Sequence, residues 1–526
     1  MKNDDATPGA GKSASIGRQQ VFFALLSGIL LFLSFPKYGL GFIAWIAFVP
    51  LFIALRNVTS LRSAFFLGWL AGLCAYSGIV YWIVFVVVHY GSLPLTLGIP
   101  IMLLLASYLG FYFAVFSTGL VYFRSKIPLI LAAPGIWVCL EYIKSHLFTG
   151  FPWENLGYSQ FRNLFLLQFA DIAGVYGLSF LILLLNVAFF AILTQKNKKS
   201  FVLAGMVFLV WSGVYAYGIQ RISQVTQAYQ NGQSMNVSLI QGNIDQSVKW
   251  NQQYQNQILN TYEELTLHHS IQPKGLIVWP ETAVPFYLQE QGDFQRKVIA
   301  LPVRTESWLL VGSVSYTGKG THTDYFNSAF LLSPSGDIAG KYDKVHLVPY
   351  GEYVPLKTVF PFISRLAQGI GDFAQGMGFK PLDMGGRKIG ILICYEGILP
   401  EAGRKYKNAS ADLLVNITND AWFGATSAPY QHLSMSIFRA VETRLFLVRA
   451  ANTGISAIVD PTGQIIAKTS IFQKDQLSGT VKFATVPTIY AQYGDILVWT
   501  CFICLAVVVF ISIQGRKKCQ QKTFKK

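Results

Sequence analysis

The first 220 residues run through one apolar stretch after another, separated by short polar turns. This pattern predicts membrane spans near 19–36, 38–55, 63–88, 93–123, 127–147, 168–195 and 200–219, and an eighth near 494–513. Most approach or exceed the ~20 residues that cross a bilayer, and the first two are short. The run 21–35 has the apolar core of a signal peptide, but no small-residue cleavage site follows it and further spans come at once. It reads as a retained helix. From 220 to 491 the rhythm changes. Apolar runs of strand length recur at 237–240, 275–279, 308–314, 328–332, 389–394, 412–417 and 456–459, with helical stretches such as 252–268 and 430–447 between them. Strands alternating with helices predict an α/β domain. Pro461-Thr462-Gly463 reads as a turn between two strands. The expected organisation is a disordered N-terminus over 1–18, a seven-helix membrane domain over 19–219 and an α/β domain over 220–491. An eighth membrane helix over 492–514 and a basic tail over 515–526 complete it.

Composition agrees with this division. Of 526 residues, 52% are hydrophobic and only 13% are charged, about half the ~25% of an average soluble domain. A net charge of +16 by itself fits a nucleic-acid partner, but its placement argues against one. Residues 221–491 hold 23 Lys and Arg against 20 Asp and Glu, whereas the rest of the chain holds 19 against 6. The basic excess belongs to the apolar part, where it orients spans. With the N-terminus inside, the cytoplasmic segments carry 16 basic residues and the short external loops three, Lys37, Lys144 and Arg162. That asymmetry puts both termini in the cytoplasm and the α/β domain on the outer face. Of six cysteines only Cys394 lies in that domain, so no internal disulfide can staple it. Cys501 and Cys504 have a redox-motif spacing but sit in an apolar helix, where they read as small core residues. Glu141 and Asp171, costly in lipid, mark either function or pairing; Lys144 is one turn from Glu141.

Candidate chemistry gathers where apolar strands end. Cys394 closes the run Ile389-Gly-Ile-Leu-Ile-Cys394, before Tyr395-Glu396-Gly397. A side chain at the end of a buried strand is held rigidly toward a cleft, which suits a nucleophile; the ordinary alternative is a buried structural cysteine. A nucleophilic thiol needs a base and a charge to stabilise thiolate and oxyanion. Trp279-Pro-Glu281-Thr282 offers a partly desolvated carboxylate as the base. Lys344, in Tyr342-Asp-Lys344-Val-His-Leu-Val-Pro-Tyr-Gly-Glu352, offers the cation. Each alone is an ordinary residue type in an ordinary place, and only the conjunction carries weight. Other chemistries are poorly supported. His268-His269 lacks partners at metal-ligand spacing, and no phosphate-binding Gly-rich loop is present.

In this order and these contexts, Glu281, Lys344 and Cys394 resemble the Glu-Lys-Cys triad of the nitrilase superfamily. Trp-Pro-Glu, Tyr-Asp-Lys before Pro-Tyr-Gly-Glu, and Ile-Cys-Tyr-Glu all match in order. Within that superfamily the seven-plus-one helices, the stretch Glu141-Tyr-Ile-Lys-Ser-His-Leu-Phe-Thr-Gly-Phe-Pro-Trp153 with Leu156-Gly-Tyr158, and His346-Leu-Val-Pro-Tyr-Gly-Glu352 resemble the apolipoprotein N-acyltransferase family. The resemblance covers nearly the whole chain. It implies a polytopic α-helical membrane domain of eight spans with an inserted α/β nitrilase-like αββα sandwich. It also implies that Glu352 orients Lys344 and that Tyr395 and Glu396 shape the pocket. Asn327, Trp250 and Trp422 are expected near the site, and the aromatic stretch 360–370 as a lid.

The activity so implied is acyl transfer from the sn-1 ester of phosphatidylethanolamine, through a Cys394 thioester, to the amine of a diacylglyceryl-cysteine apolipoprotein. Ping-pong kinetics, no cofactor or metal, a monomer in the bacterial inner membrane and a periplasmic active site are expected with it. Two rivals remain: a membrane-tethered amidase acting on a small C–N substrate, which the triad alone fits equally well, and a scaffold with a degenerate domain. Seven preceding spans argue against the first, and an intact triad against the second.

Overall fold

The computed structural model describes residues 16–268, 274–318, 323–349, 351–353 and 372–523. Most of the 1–18 segment, His269 and the 360–370 stretch lie outside these. Every predicted span is occupied by helix. α1 (Arg18–Ser34) is followed by a 3₁₀ turn (Gly41–Trp45) leading into α2 (Val49–Leu55). After it come α3 (Leu61–Ile79), α4 (Trp82–His89), α5 (Leu95–Phe123) and α6 (Leu129–His146). The short α7 (Leu164–Leu167) precedes α8 (Ala170–Gln195) and α9 (Lys198–Gln230).

Among the described residues, four helices are long and apolar enough to cross a membrane: α5, α8, α9 and the C-terminal helix beginning at Ile496. A fifth is reached if α3 and α4, bent by 58° at their junction, form one span. The eight predicted stretches are therefore helical, but not all meet that measure. α1 and the 41–55 stretch are short, and α6 carries Glu141 and Lys144 within its length. Small residues bring α3 and α5 together: a Cβ on Gly72 would lie 2.7 Å from the Cα of Gly110. α9 continues well past the predicted end at 219, because its last turns pack on the α/β domain. Tyr229 donates from its hydroxyl to the carbonyl of Arg444 at 2.6 Å.

The α/β domain has two six-stranded sheets. The first comprises β1 (Ser234–Gln241), β2 (Gly275–Val278), β3 (Trp308–Thr317), β4 (Asp324–Leu332), β5 (Ile338–Asp343) and β12 (Asp475–Lys482), in the order β12-β1-β2-β3-β4-β5. The second comprises β6 (Leu382–Met384), β7 (Arg387–Ile393), β8 (Leu413–Thr418), β9 (Phe446–Ala451), β10 (Ala457–Val459) and β11 (Ile465–Lys468), in the order β11-β10-β9-β8-β7-β6. Strands β1–β2–β3 and β7–β8–β9 run parallel, with antiparallel strands at the edges.

Side-chain alternation makes the layers. Leu239, Leu276, Val278 and Leu310 enter one core with Ile389, Ile391 and Val415 of the facing sheet. The alternate residues Ile240, Ile277, Leu309 and Val311 pack under α10 (Gln255–His268) and α11 (Asp293–Thr305), against Ile258, Leu259, Val298 and Leu301. Helices α12 (Pro400–Asn408) and α13 (Ala428–Thr443) belong to the other sheet. The result is a nitrilase-like α-β-β-α layering.

One predicted helix is corrected. The 430–447 stretch is helical only to Thr443; Arg444 then turns with φ +52 and β9 begins at Phe446. A short continuous apolar run has no period that separates buried strand from buried helix, and Leu445-Phe-Leu-Val448 is such a run. After β12, α14 (Ile489–Tyr493) leads into α15 (Ile496–Thr523).

The two parts are bound by more than the connecting helices. Arg444, fully buried, donates to Asp171 at 2.7 Å, and Arg221 donates to the same carboxylate oxygen at 2.7 Å. Gln431 of α13 donates to the carbonyls of Pro36 and Ile79 at 3.0 and 3.1 Å.

Candidate active site

Three strand ends of the α/β domain meet in one buried polar cluster. Glu281 follows β2. It can lie against β3 because position 312 is glycine: a Cβ there would sit 2.3 Å from the carbonyl oxygen of Pro280. Its Oε1 accepts from Asn327 Nδ2 at 2.7 Å, and its Oε2 accepts from the backbone N–H of Asn419 at 2.8 Å. Lys344 follows β5 and is 1% exposed. Its Nζ lies 2.8 Å from Glu352 Oε2 and 3.9 Å from Glu281 Oε1. Burial works to lower the Lys344 pKa, but Glu352, Glu281 and Cys394 raise it more, so the ammonium keeps its proton. Asn327 donates from the same amide nitrogen to Glu352 Oε1 at 2.8 Å and so spans both carboxylates.

Cys394 follows β7, at the start of a 3₁₀ turn (Cys394–Ile398). Its φ of +54 is the left-handed region, uncommon for a non-glycine residue. Such strain, of order 1–3 kcal/mol, is kept where neighbours over-determine it. They do so here. Asn416 donates to the carbonyls of Leu392 and Cys394 at 2.8 and 3.3 Å, and His432 Nε2 lies 3.1 Å from the Cys394 carbonyl oxygen. Burial, then Glu281, push the Cys394 thiol up, with Lys344 pulling it down; the net direction is upward.

Glu396 is fully buried and clamps two segments together. It accepts from the backbone N–H groups of Val345 (2.7 Å), His346 (3.0 Å) and Ile393 (2.8 Å), and from the Tyr342 hydroxyl at 3.0 Å. The segment bearing Lys344 is thereby tied to the strand end bearing Cys394. Burial raises the Glu396 pKa to about 7, with Lys344 and these N–H groups pulling it down. Tyr395 stacks between His346 (5.6 Å between ring centres) and Trp153 (6.4 Å).

Trp153 comes from the helical part, and its indole N–H donates to Gln431 at 2.8 Å. The pocket wall is therefore built by both parts of the chain. Trp422 is on the loop after β8, edge-on to Tyr90 at 4.7 Å, also from the helical part. Trp250 is 49% exposed and makes none of the hydrogen bonds or ring contacts of the cluster.

Sequence reasoning missed a supporting layer. His432 on α13 has Nδ1 3.0 Å from Asp420 Oδ1, and Arg449 of β9 donates to Asp420 Oδ2 at 2.8 Å. Burial, then Arg449, lower the His432 pKa despite Asp420, so the imidazole is neutral. Lys249 was missed as well. It is 1% exposed and donates to Thr282 Oγ1 at 2.7 Å and to the Glu281 carbonyl at 3.2 Å. Burial lowers its pKa to about 8 against the pull of Glu281. Its signal was a lysine one residue from Trp250, within the polar loop after β1. Glu141 and Asp171 lie in the helical part, away from this cluster. Asp171 is paired with the two arginines. Glu141 Oε1 accepts from the N–H of Leu156 at 2.6 Å.

The arrangement can activate a thiol, hold a lysine ammonium in place and move a proton through a carboxylate. Among the described residues no group of acids, histidines and cysteines could hold a metal ion.

Comparison with known proteins covers both parts. Residues 27–188 match the family model of the apolipoprotein N-acyltransferase N-terminal domain, and residues 236–490 match that of carbon-nitrogen hydrolase. Over 512 residues the chain is 45% identical to an apolipoprotein N-acyltransferase of Geobacter metallireducens, covering 95% of this chain and 97% of that one. It is 32% identical to those of Rickettsia prowazekii, over 84% of this chain and 87% of that one, and Nitrosomonas europaea, over 86% and 89%.

Proposed function

The chain belongs to the apolipoprotein N-acyltransferase family, and from that premise we propose how this acyltransferase of lipoprotein maturation does its chemistry. Glu281 takes the proton of the Cys394 thiol as the sulfur attacks the sn-1 ester carbonyl of phosphatidylethanolamine. Lys344 stabilises the oxyanion. The C–O bond breaks, Glu281 returns its proton to the departing lysophospholipid oxygen, and a thioester is left on Cys394. The α-amine of a diacylglyceryl-cysteine apolipoprotein then attacks the thioester. Glu281 accepts the amine proton, the C–S bond breaks, and the proton returns to sulfur. The acceptor leaves as the triacylated amide. Using one site in turn gives ping-pong kinetics.

The observation that carries this reading is the division of labour in one buried cluster. Lys344 keeps its proton, so it serves as fixed charge and not as base. The Cys394 thiol also keeps its proton at rest, so it needs a base during attack. Glu281, fixed by Asn327 and the Asn419 N–H, is the carboxylate placed for that task. Glu352 orients Lys344, Asn327 bridges the two carboxylates, Glu396 holds the Lys344 segment against the Cys394 turn, and Tyr395 lines the pocket. Trp422 and Trp250 belong to its rim.

The topology that goes with this has a membrane domain over 19–219, a catalytic domain over 220–491 on the periplasmic side, an eighth span over 492–514 and both termini in the cytoplasm of the inner membrane. Eight spans are supported by helix at every predicted stretch and by the 16-to-three split of basic residues. A single chain suffices, because every proposed catalytic group comes from it. Lipid substrates explain the architecture: a site tethered at both ends stays at the headgroup plane where they lie.

Intact mass after incubation with phosphatidylethanolamine and no acceptor tests the cycle. An adduct of one acyl chain, released by neutral hydroxylamine and absent in Cys394→Ala, is expected. A folded enzyme with accessible lipid and no adduct overturns the donor half-reaction.

A further inference from the structure

Lys37 and Arg162 are two of the three cations on short external loops, the side on which basic residues are normally scarce. The third, Lys144, is buried. The fold gives the other two a common address. A cleft of about 250 Å³ opens between the loop after α1, the loop before α7, helix α13 and the β10–β11 hairpin. Lys37 and Arg162 lie on its helical side and Lys468 faces them from β11; among the described residues no carboxylate lines it. All three are exposed. Lys37 lies 6.0 Å from the ring centre of Tyr430, and Arg162 5.2 Å from that of Phe161. The floor is apolar, with Leu433 and Ile437 of α13.

This cleft is separate from the catalytic cluster. On α13, residues 430, 433 and 437 share one helical face, and His432 points roughly 100–160° away from them, toward Cys394.

We propose that this cleft is a second lipid site, which takes the phosphate of an anionic phospholipid between Lys37, Arg162 and Lys468 and lays the start of an acyl chain on Leu433 and Ile437. Three cations without a lining carboxylate match an anionic headgroup. An apolar floor joined to them matches a lipid better than a free anion. Its position, at the outer ends of spans and under the catalytic domain, is the headgroup plane; that placement rests on the topology proposed above. A lipid there bridges the two parts of the chain.

The test uses the full chain in detergent, titrated with phosphatidylglycerol or phosphatidylethanolamine and read by native mass spectrometry. The K37Q/R162Q/K468Q variant is expected to bind phosphatidylglycerol at least about tenfold more weakly than the parent, with phosphatidylethanolamine binding little changed. K468E alone, a change on an exposed strand, is expected to weaken phosphatidylglycerol in the same direction. Equal phosphatidylglycerol binding in the parent and these variants overturns the proposal. Displacement of the lipid by millimolar inorganic phosphate also overturns it, in favour of a free-anion site. Acyl loading of Cys394 is read separately. Loss of loading with lipid binding intact counts against the proposed cycle and not against this site.

Discussion

Two buried groupings in this molecule have the same cast, one lysine and two glutamates, and they are built differently. In the proposed catalytic cluster all four oxygens of Glu281 and Glu352 accept a hydrogen bond, from Asn327, Asn419, Val348 or Lys344. In the helical part Lys144 donates to neutral oxygens instead, the Tyr76 hydroxyl at 2.8 Å and the Trp153 carbonyl at 3.2 Å. Among the described residues, neither oxygen of Glu154, nor Oε2 of Glu141, has a partner at hydrogen-bond distance. Burial pushes Glu154, on the loop after α6, well above the usual carboxylate range, with Lys144 pulling the other way. A buried carboxylate keeps its charge only when donors replace its water. The cluster of Glu281 and Glu352 has a donor at every carboxylate oxygen, whereas burial without such donors pushes the Glu154 carboxyl toward its neutral form. Identical residue types are thus hydrogen-bonded at every carboxylate oxygen in one place and left largely unpartnered in the other.

The largest test of this contrast is Glu281→Gln, which keeps the shape and removes the proposed base. Acyl loading of Cys394 should slow by about 10³-fold, within the range for losing a general base. A variant that loads at the parental rate breaks the assignment. Next, Glu352→Gln removes the carboxylate nearest Lys344. We expect loading to fall by roughly ten- to a hundredfold, since a hydrogen bond to a charged group contributes about 1.5–3 kcal/mol; an unchanged rate would mean Lys344 is held by the rest of the cluster.

Lys249 offers a pH test. Its folded pKa, about 8, lies below the ~10.4 of an exposed lysine, so between those values the unfolded chain holds the extra proton. Stability should therefore gain from this group as pH rises through that window, and its burial cost should be felt in full below it. Thermal midpoints of the parent and Lys249→Met, compared from neutral to alkaline pH, should converge upward in the parent's favour. A pH-independent gap rejects the reading. The smallest effect belongs to Glu154→Gln, which replaces a carboxyl pushed toward its neutral form by a neutral isostere. Stability should change by less than about 1 kcal/mol, and loading hardly at all. A collapse comparable to that of Glu352→Gln would erase the contrast.

Local signals account for what the sequence disclosed. Glu281, Lys344 and Cys394 each follow an apolar run, and chain geometry puts strand ends at a cleft. Asn327 sits inside β4, where nothing local separates it from any other strand asparagine; only the family pattern pointed to it. Asp420, His432 and Arg449 were silent because they lie on a loop, a helix and a strand that meet only through the pairing of β8 with β9 and the packing of α13. At 249–250 the tryptophan drew attention, yet the lysine beside it faces the cluster and the ring faces out. The helical part was legible as hydropathy, and its contribution to the pocket wall, Trp153, only as a motif. Hydropathy records which residues avoid water and says nothing of what they touch.

The pairing of Arg444 with Asp171 has a bearing on modularity. Nitrilase-like domains are easily imagined as cargo that could be cut from their anchor and secreted. Here the cargo keeps a guanidinium whose only buried counter-charge among the described residues belongs to the anchor. Excised at 220–491, the domain would expose that site to water or bury an orphan cation, a loss of about 3–5 kcal/mol when such a pair is broken from one side. A transplant of this domain onto another set of helices must bring an acid to the position of Asp171, and lineages that exchange the two halves must change both residues together.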